Sequence, residues 1–237
     1  MKILTDLHTH TNTSDHGFST LLENATQANK KGLQAIALTN HGPAIEDGTH
    51  RWHYGNMIQL PRVIENVTVI RGMEANILNS TGKLDYDEMD STDQAGIELL
   101  IASCHGGVYQ PSSTDEFLEL YTNLCKRDDI HILGHLCRYQ CTSHLDKIIP
   151  LANSKGILIE LNALSYKDKR YHENNIRLID ACLKYNAQVC INTDTHFCYD
   201  IGDLNGMDKY LEEINFPQEL VMNRDLPTLL DYFKLEL

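Results

Sequence analysis

The amino-acid sequence predicts an α/β fold built on a parallel barrel of seven strands. Seven short apolar runs recur along the 237 residues, and most of the intervals between them have helix-type patterns. Each run ends in polar side chains able to bind metal or substrate. Strands that alternate with helices pair in parallel, and in a barrel their carboxyl ends open at one face, where catalytic residues collect. We therefore expect the polar ends to meet at one mouth.

The seven predicted strands are KILTDLH (2–8), LQAIALTNH (33–41), VTVIRGMEAN (67–76), ELLIASCH (98–105), DIHILGH (129–135), GILIELN (156–162) and AQVCINTDTH (187–196). Such apolar runs suit a sheet that is buried on both faces. After the first run, STLLENATQANKKG predicts a helix with Ser19 as N-cap and Gly32 as C-cap. STDEFLELYTNLCKRD predicts another, capped by Ser113 or Thr114. An eighth strand–helix unit is not predicted, because LVMN (220–223) is short and precedes only a final helix.

Length and composition favour one domain over residues 1–237. An apolar content of 42% suffices for a single large core, and no repeat, low-complexity tract or long linker divides the chain. No run approaches the ~18 apolar residues of a membrane span, and the start MKILTDLHTH is too short and polar for a signal peptide. We therefore expect a cytoplasmic protein with no membrane partner.

The acidic charge balance bears on partners. Because 33 Asp and Glu residues outnumber 20 Lys and Arg residues, giving a formal charge of −13, we expect no nucleic-acid partner. Bound cations would offset part of this charge, so some carboxylates are interpreted as ligands. The sequence leaves the oligomeric state open, a homo-oligomer included.

Histidines and carboxylates at the strand ends form a predicted metal site. Residues i and i+2 of a strand share a face roughly 6.5 to 7 Å apart, so His8 and His10 can bind one cation. Asp194 and His196 repeat that spacing after the last strand. The other ligand-type residues, at strand ends and in the first loop, are His16, His41, Glu74, His105 and His135. Imidazole with carboxylate favours Zn²⁺, Mn²⁺ or Fe²⁺, and this number of ligands fits three ions better than one or two.

The same residues lie in motifs that resemble a known family. DLHTHTNTSDHGFSTL, LTNHGP, RGMEANI, the His105 strand, HILGH and NTDTH are similar, in order and spacing, to the successive motifs of the PHP (polymerase and histidinol phosphatase) superfamily. The short length and the segment HGPAIEDGTHRWHYGNM most resemble the small stand-alone phosphatases of the YcdX type. This resemblance implies a distorted seven-stranded (β/α)7 barrel of the PHP type, with three divalent transition-metal ions, usually zinc, and manganese or iron as alternatives.

The resemblance also implies three ligand sets, two of which share Glu74 as a bridge: His8, His10, Glu74 and Asp194; Glu74, His105 and His135; and His16, His41 and His196. Two positions depart from the family pattern. Asn40 stands where an Asp often precedes the histidine, and GHLCRYQ replaces the usual His-Pro-Gly after the fourth motif. Neither change removes a ligand, but the second is expected to reshape the substrate pocket.

The leading hypothesis for function is hydrolysis of a phosphate monoester by a metal-bridging hydroxide. Glu74 and Asp194 are the predicted catalytic residues, since Glu74 would set the spacing of two metals and Asp194 would handle protons. A small phosphorylated substrate would be held by cationic side chains, for which the candidates are Arg51, His53 and Arg138.

Other functions are alternatives to this hypothesis. Within the same superfamily, the chain would be a histidinol-phosphate phosphatase or a phosphodiesterase. Amidohydrolase-type C–N hydrolases also open with HxH after the first strand, but they normally use one or two metals, which leaves His16, His41 and Glu74 without a role. A non-catalytic metal-binding domain would have closed metal shells, whereas an enzyme keeps open positions.

Overall fold

The computed structural model describes residues 1–138 and 142–235, which form a nearly closed barrel of parallel strands surrounded by helices. The strands are β1 (Thr5–Thr9), β2 (Ala35–Leu38), β3 (Val63–Ile64), β4 (Val67–Asn76), β5 (Leu99–Ser103), β6 (Ile132–Leu133), β7 (Leu158–Asn162) and β8 (Val189–Asn192). Seven of these described strands pair in parallel in the order β1-β2-β4-β5-β6-β7-β8. The predicted seven-stranded α/β barrel is therefore confirmed, and each barrel strand lies within one predicted run except β1, which ends at Thr9, one residue beyond its run.

The helices connect these strands and cover the outside of the barrel. They are α1 (Leu21–Lys31), α2 (Arg51–Asn56), α3 (Ser91–Gln94), α4 (Thr114–Leu124), α5 (Leu145–Ser154), α6 (Ala163–Lys167), α7 (His172–Lys184), α8 (Met207–Glu213) and α9 (Leu226–Phe233). None of these described helices combines the length and the apolar character needed to cross a bilayer.

The caps of two helices test the sequence prediction directly. The N-cap of α1 is Thr20, whose side chain accepts a hydrogen bond from the Glu23 amide, while the Glu23 carboxylate accepts one from the Thr20 amide. The prediction of Ser19 was wrong by one residue, because the Ser19 hydroxyl instead accepts a hydrogen bond from the Cys198 amide. Gly32 ends α1 with a φ of 75°, as predicted, and Ser113 caps α4.

The short strand β3 was not predicted. It pairs antiparallel with the beginning of β4, where Val63 lies opposite Thr68 and Ile64 opposite Val67. The turn between them places Glu65 and Asn66 at φ values of 51° and 62°, and two consecutive left-handed residues are typical of tight hairpin turns. The hairpin leaves the parallel order of the barrel unchanged.

The seam between β8 and β1 is closed mainly by side chains. One bridge joins Thr9 to Thr195, and the Asn223 amide group donates to the Thr5 carbonyl at 2.8 Å and to the Ile191 carbonyl at 2.7 Å. The Asn223 side-chain oxygen accepts from the Ile191 amide at 2.9 Å. The segment LVMN thus forms no full strand, yet its asparagine occupies the place where an eighth strand would pair.

An apolar floor fills the barrel beneath its polar mouth. The buried side chains in this cluster are Leu7, Ala35, Ala37, Ile70, Leu99, Ile101, Ile132, Leu158, Cys190, Met222 and Leu229. Ile70 precedes Glu74 by four residues and Ile101 precedes His105 by four, so floor and mouth residues share the inward face of their strands. In β1, Leu7 belongs to this floor and His8 is buried next to it, and the pairing of β1 with β2 has a register irregularity between Asp6 and Thr9. The packed floor holds the strand ends in place.

Candidate metal centre

Glu74 is the centre of the polar mouth. It stands near the end of β4 and is fully buried. Its two carboxylate oxygens contact five imidazole nitrogens: His8 Nε2 at 3.3 Å, His10 Nε2 at 3.5 Å, His41 Nδ1 at 2.8 Å, His105 Nε2 at 3.2 Å and His135 Nε2 at 2.8 Å. These five histidines come from four different strand ends, because His8 and His10 both lie at the end of β1, so the barrel brings together residues that are dispersed in the sequence.

Asp194 is the second carboxylate of the cluster and lies just after β8. One of its oxygens is 3.1 Å from His10 Nε2 and 3.5 Å from His8 Nε2. The other contacts the Arg138 guanidinium and accepts a hydrogen bond from the Asn162 side chain at 3.2 Å. Asp194 thus faces predicted metal ligands on one side and a cation on the other.

Three groups of described residues have ligand atoms close enough together to hold an ion. Within each group the atoms lie within 4.8 Å of one another, and the groups are His8, His10 and Asp194; His41, Glu74 and His105; and His10, His41 and His196. Each group shares at least two residues with one of the ligand sets that the family resemblance implies. His10 and His41 each belong to two groups, so the possible sites are contiguous.

His16 lies at the exposed edge of this cluster. Its ring centroid is 4.3 Å from that of His196 and 5.1 Å from that of His41, but half of its side chain is exposed. Its Nδ1 atom contacts the carboxylate of Asp47, in the loop after β2. Sequence reasoning missed Asp47, because an acidic residue in an irregular loop gives no periodic signal.

Hydrogen-bond acceptors that lie behind the predicted ligands orient several of the imidazole rings. His8 Nδ1 is 2.8 Å from a Glu160 oxygen, and His105 Nδ1 is 2.7 Å from the Asn76 side-chain oxygen. His196 Nδ1 is 3.0 Å from the Asp194 carbonyl. Because carboxylate and carbonyl oxygens only accept, these contacts place the proton on Nδ1 and leave Nε2 as the electron-pair donor. This is the tautomer that a metal ligand requires.

Glu160 is the principal residue that sequence reasoning missed. Besides His8, it accepts hydrogen bonds from the His135 amide at 2.7 Å and from the side chains of Asn162 and Asn192 at 3.0 and 2.8 Å. It is a lone carboxylate within the apolar run of β7, two residues before Asn162. Since residues i and i+2 of a strand share a face, that spacing was the signal that could have placed Glu160 in the mouth.

Burial and mutual contact set the charge states of these groups. Burial opposes ionisation of Glu74, but His8 and His105 hold its pKa well below the usual value. The pKa of Asp194 is likewise far below its usual value, because His8 and Arg138 outweigh burial. Burial lowers the pKa of His135 to about 4. Although burial opposes protonation of His8, Glu160 and Glu74 raise its pKa well above the usual value. Because ionised carboxylates and neutral imidazoles are the forms that bind metal, His8 must release its proton when an ion binds.

The donor atoms at the mouth fit divalent transition metals. Although these groups contact one another, several of their buried atoms make no hydrogen bond of acceptable geometry within residues 1–138 and 142–235: His8 Nε2, His10 Nε2, His41 Nε2, Glu74 Oε2, His105 Nε2 and His196 Nε2. Isolated buried polar atoms are costly and therefore rare. Mixed imidazole and carboxylate donors suit zinc, manganese or iron, whereas magnesium and calcium prefer oxygen alone.

Two residues at the mouth have an unusual backbone. His135 has a φ of 25° and Asp194 a φ of 54°, values that residues other than glycine seldom adopt. Such conformations cost on the order of 1–3 kcal/mol each and cluster at functional sites. The His135 conformation is supported by the hydrogen bond from its amide to Glu160.

The three predicted substrate-binding residues lie in different places. Arg138 is at the cluster, where its guanidinium contacts Asp194 and its Nε donates to the Ser165 hydroxyl at 2.7 Å. Arg51 is directed to Asp93 on α3, at 3.5 Å. His53 lies largely buried in α2, and burial lowers its pKa to about 4. Only Arg138 of the three directly contacts a predicted ligand.

Asn40, the departure from the family pattern, holds the loop that follows β1. Its side-chain oxygen accepts a hydrogen bond from the Thr11 amide at 2.8 Å, and its nitrogen is 3.3 Å from His53 Nε2. It therefore connects the loop before His16 with α2. The other departure, the segment after His135, is described only as far as Arg138, and residues 139–141 lie outside the described residues.

Comparison with known proteins agrees with this architecture. The PHP domain family profile matches residues 6–194. A probable phosphatase of Clostridium acetobutylicum is 36% identical over 236 residues, covering 99% of this chain and 96% of that protein. A probable phosphatase of Caldanaerobacter subterraneus is 32% identical over 237 residues, covering 99% of this chain and 92% of that protein.

Solved structures show the same fold at low identity. The histidinol phosphate phosphatase of Lactococcus lactis, complexed with zinc, L-histidinol and phosphate, has a TM-score of 0.65 and 17% identity, covering 91% of this chain and 95% of that one. A putative histidinol phosphatase of Listeria monocytogenes has a TM-score of 0.64 and 13% identity, covering 87% and 99%. At these identities the likeness concerns the fold alone.

Proposed function

The chain belongs to the PHP domain family, and we propose that it is a metal-dependent phosphatase that hydrolyses small phosphate monoesters at a trinuclear centre. The observation that carries this proposal is the convergence of unpartnered imidazole and carboxylate atoms around Glu74, with the Arg138 guanidinium beside them. Relatives that match nearly the whole chain are named probable phosphatases, which supports the same reaction. We propose that residues 1–237 act as one domain.

Three ligand sets are proposed, with zinc as the first choice of metal and manganese or iron as alternatives: His8, His10, Glu74 and Asp194; Glu74, His105 and His135; and His16, His41 and His196. The contacts of Glu74 with His8 on one oxygen and with His135 on the other support its place between two sites. The close stacking of His16 on His196 supports a third site at the exposed edge.

Bound divalent cations would supply a hydroxide nucleophile from water and would neutralise charge on the phosphoryl oxygens. The chain's own residues would position both reactants. Glu160 and Asn76 hold the rings of His8 and His105 in fixed orientations, and the apolar floor excludes water from below. Such preorganised groups lower the barrier because they need no rearrangement during the reaction.

Arg138 and Asp194 are the proposed groups beside the phosphoryl group. Arg138 is held by Ser165 and by Asp194, so its guanidinium presents donors to an anion at the rim. Asp194 is ionised at neutral pH because its pKa is far below the usual value. It is the proposed group for proton transfer because its carboxylate lies among the predicted ligands, although so low a pKa makes it a weak base. Arg51 and His53 are further candidates only if the α2 segment moves on binding.

Hydrolysis of model substrates before and after metal removal tests this proposal. Purified protein would be depleted with a chelator, reloaded with Zn²⁺ or Mn²⁺, and assayed on p-nitrophenyl phosphate, bis(p-nitrophenyl) phosphate, histidinol phosphate and p-nitroanilides. We expect monoester hydrolysis that is lost on depletion and restored by either metal. Reloading with Ca²⁺ is the matched control, since calcium prefers oxygen ligands.

Each other outcome identifies one of the alternatives. Preferred cleavage of the diester would indicate a phosphodiesterase, and anilide cleavage would indicate a C–N hydrolase. Preference for histidinol phosphate above other monoesters would indicate a histidinol-phosphate phosphatase. Stoichiometric metal binding without any turnover would indicate a non-catalytic metal-binding domain.

A further inference from the structure

A cavity of about 620 Å³ opens directly beside the proposed metal centre. His16, His196 and Arg138 line it, and the segment that begins with α6 contributes Lys167 and Arg170 to the same lining. The volume of the cavity is in the range of small-molecule sites, so a substrate whose phosphate lies at the metals would place its leaving group in this cavity.

The lining of this cavity is cationic although the chain is acidic. It contains Arg138, Lys167 and Arg170 but one carboxylate, Asp168, in a chain with a formal charge of −13. Asp168 pairs with Arg170 at 2.6 Å, and Arg138 pairs with Asp194. Lys167 is exposed, and within the described residues no carboxylate forms an ion pair with it. The cavity therefore has one cation whose charge is not offset.

Neighbouring side chains hold the second cation and add an apolar surface. The Arg170 guanidinium lies 5.1 Å from the centroid of the Tyr171 ring, within the range of a cation–π contact. Leu164 is 42% exposed and lines the same cavity. A ligand here would meet a carbon surface next to the positive groups, which suits a leaving group with an apolar portion and an anionic end.

We infer that this cavity binds a second anionic group on the leaving portion of the substrate, so that the preferred substrate is a phosphate monoester whose leaving group carries a carboxylate or a further phosphate. The inference rests on the proposed function for the place of the first phosphate. Lys167 and Arg170 are the specificity-determining residues, and Leu164 contacts the connecting carbons. A leaving group with an ammonium charge, such as histidinol, is disfavoured by the same cations.

Binding of non-hydrolysable phosphonates tests this inference without turnover. Zinc-reconstituted protein would be titrated calorimetrically with phosphonoacetate, 3-phosphonopropionate and 4-phosphonobutyrate, each compared with the alkylphosphonate of equal carbon number. We expect at least one carboxylate to bind more tightly than its partner by about two- to fivefold, the range for a partly exposed ion pair. The series is needed because the best chain length depends on the span from metals to Lys167.

Two variants show whether the preference comes from the cavity. Lys167→Gln should abolish the ratio between the paired ligands, because it removes the cation that no carboxylate offsets. Lys169→Gln is the matched control, since Lys169 is an exposed lysine of the same segment that does not line the cavity. A ratio below about twofold for every pair, or equal losses in both variants, would overturn the inference.

Turnover of p-nitrophenyl phosphate by the same preparation separates the two proposals. Protein that hydrolyses this ester but shows no preference for the phosphonocarboxylates would retain the proposed function and lose the anionic subsite. Protein that shows the Lys167-dependent preference but hydrolyses no ester would retain the subsite and lose the proposed function.

Discussion

Replacement of Glu160 by glutamine would test how a residue that hydrogen-bonds to the predicted ligands controls metal binding. The carboxylate of Glu160 accepts four hydrogen bonds, two on each oxygen: from His8 and Asn192 on one, and from the His135 amide and Asn162 on the other. Glu160→Gln keeps the shape but converts one oxygen to a donor. Whichever oxygen is replaced, two buried donors lose their acceptor.

The effect of Glu160→Gln on stability and on metal affinity follows from these hydrogen bonds. A hydrogen bond to a charged group contributes about 1.5–3 kcal/mol, so two losses would lower the free energy of unfolding by about 3 kcal/mol or more. If the amide nitrogen faces His8 Nδ1, the ring is driven to the tautomer protonated on Nε2, which cannot bind metal. Loss of such outer-layer contacts typically weakens metal binding by about 10–100-fold.

The assay measures zinc affinity by competition with a chromophoric chelator, together with thermal unfolding of the zinc-free protein. We expect Glu160→Gln to lower the zinc affinity and the unfolding temperature of the zinc-free protein. Glu98→Gln is the control, because Glu98 pairs with Arg62 on the outside of the barrel and contacts no predicted ligand. Wild-type zinc affinity in Glu160→Gln would refute the orienting role of this residue.

Three further substitutions have distinct expected outcomes. Glu74→Gln removes the shared charge, so metal content at both sites that use it should fall and turnover should drop by about 100-fold or more, measured beside His16→Ala, which should lose only the third ion. Asp47→Asn should weaken zinc binding at that third site by about tenfold while two ions remain, because Asp47 contacts His16 Nδ1; retention of full zinc affinity would contradict this. Asn223→Ala removes the buried side-chain hydrogen bonds of Asn223 at the barrel seam and should lower the free energy of unfolding in urea by about 2–4 kcal/mol without changing metal content.

The sequence predicted the barrel and the convergence of the ligands for the same physical reason. Buried parallel strands read as apolar runs, and the barrel directs all their carboxyl ends to one mouth. The sequence alone thus predicts that three residues far apart in the chain lie close together: His8, Glu74 and Asp194. That the cluster is trinuclear stays a prediction.

Other features depended on contacts that no local pattern encodes. Glu160 lies inside an apolar run, and its function depends on His8 and the amide of His135, neither of which is near it in sequence. Asn223 closes the seam by reaching two distant strands. The cap of α1 moved from Ser19 to Thr20 because the Ser19 hydroxyl accepts a hydrogen bond from a distant amide.

The substrate residues were the least predictable part of the site. Arg51 and His53 were chosen for charge and proximity to a motif, yet Arg51 is directed to Asp93 and His53 to Asn40. Lys167 and Arg170 gave no signal, since exposed lysines and arginines are common on any surface. Their relevance follows only from the cavity that the fold builds beside the ligands.

Anomalous X-ray diffraction from zinc-loaded crystals, with data on both sides of the zinc absorption edge, would show directly how many zinc ions each chain binds and where. We expect three anomalous peaks per chain, with Glu74 between two of them and His16, His41 and His196 around the third. Fewer than three peaks at full zinc loading, or peaks away from these side chains, would contradict the trinuclear centre.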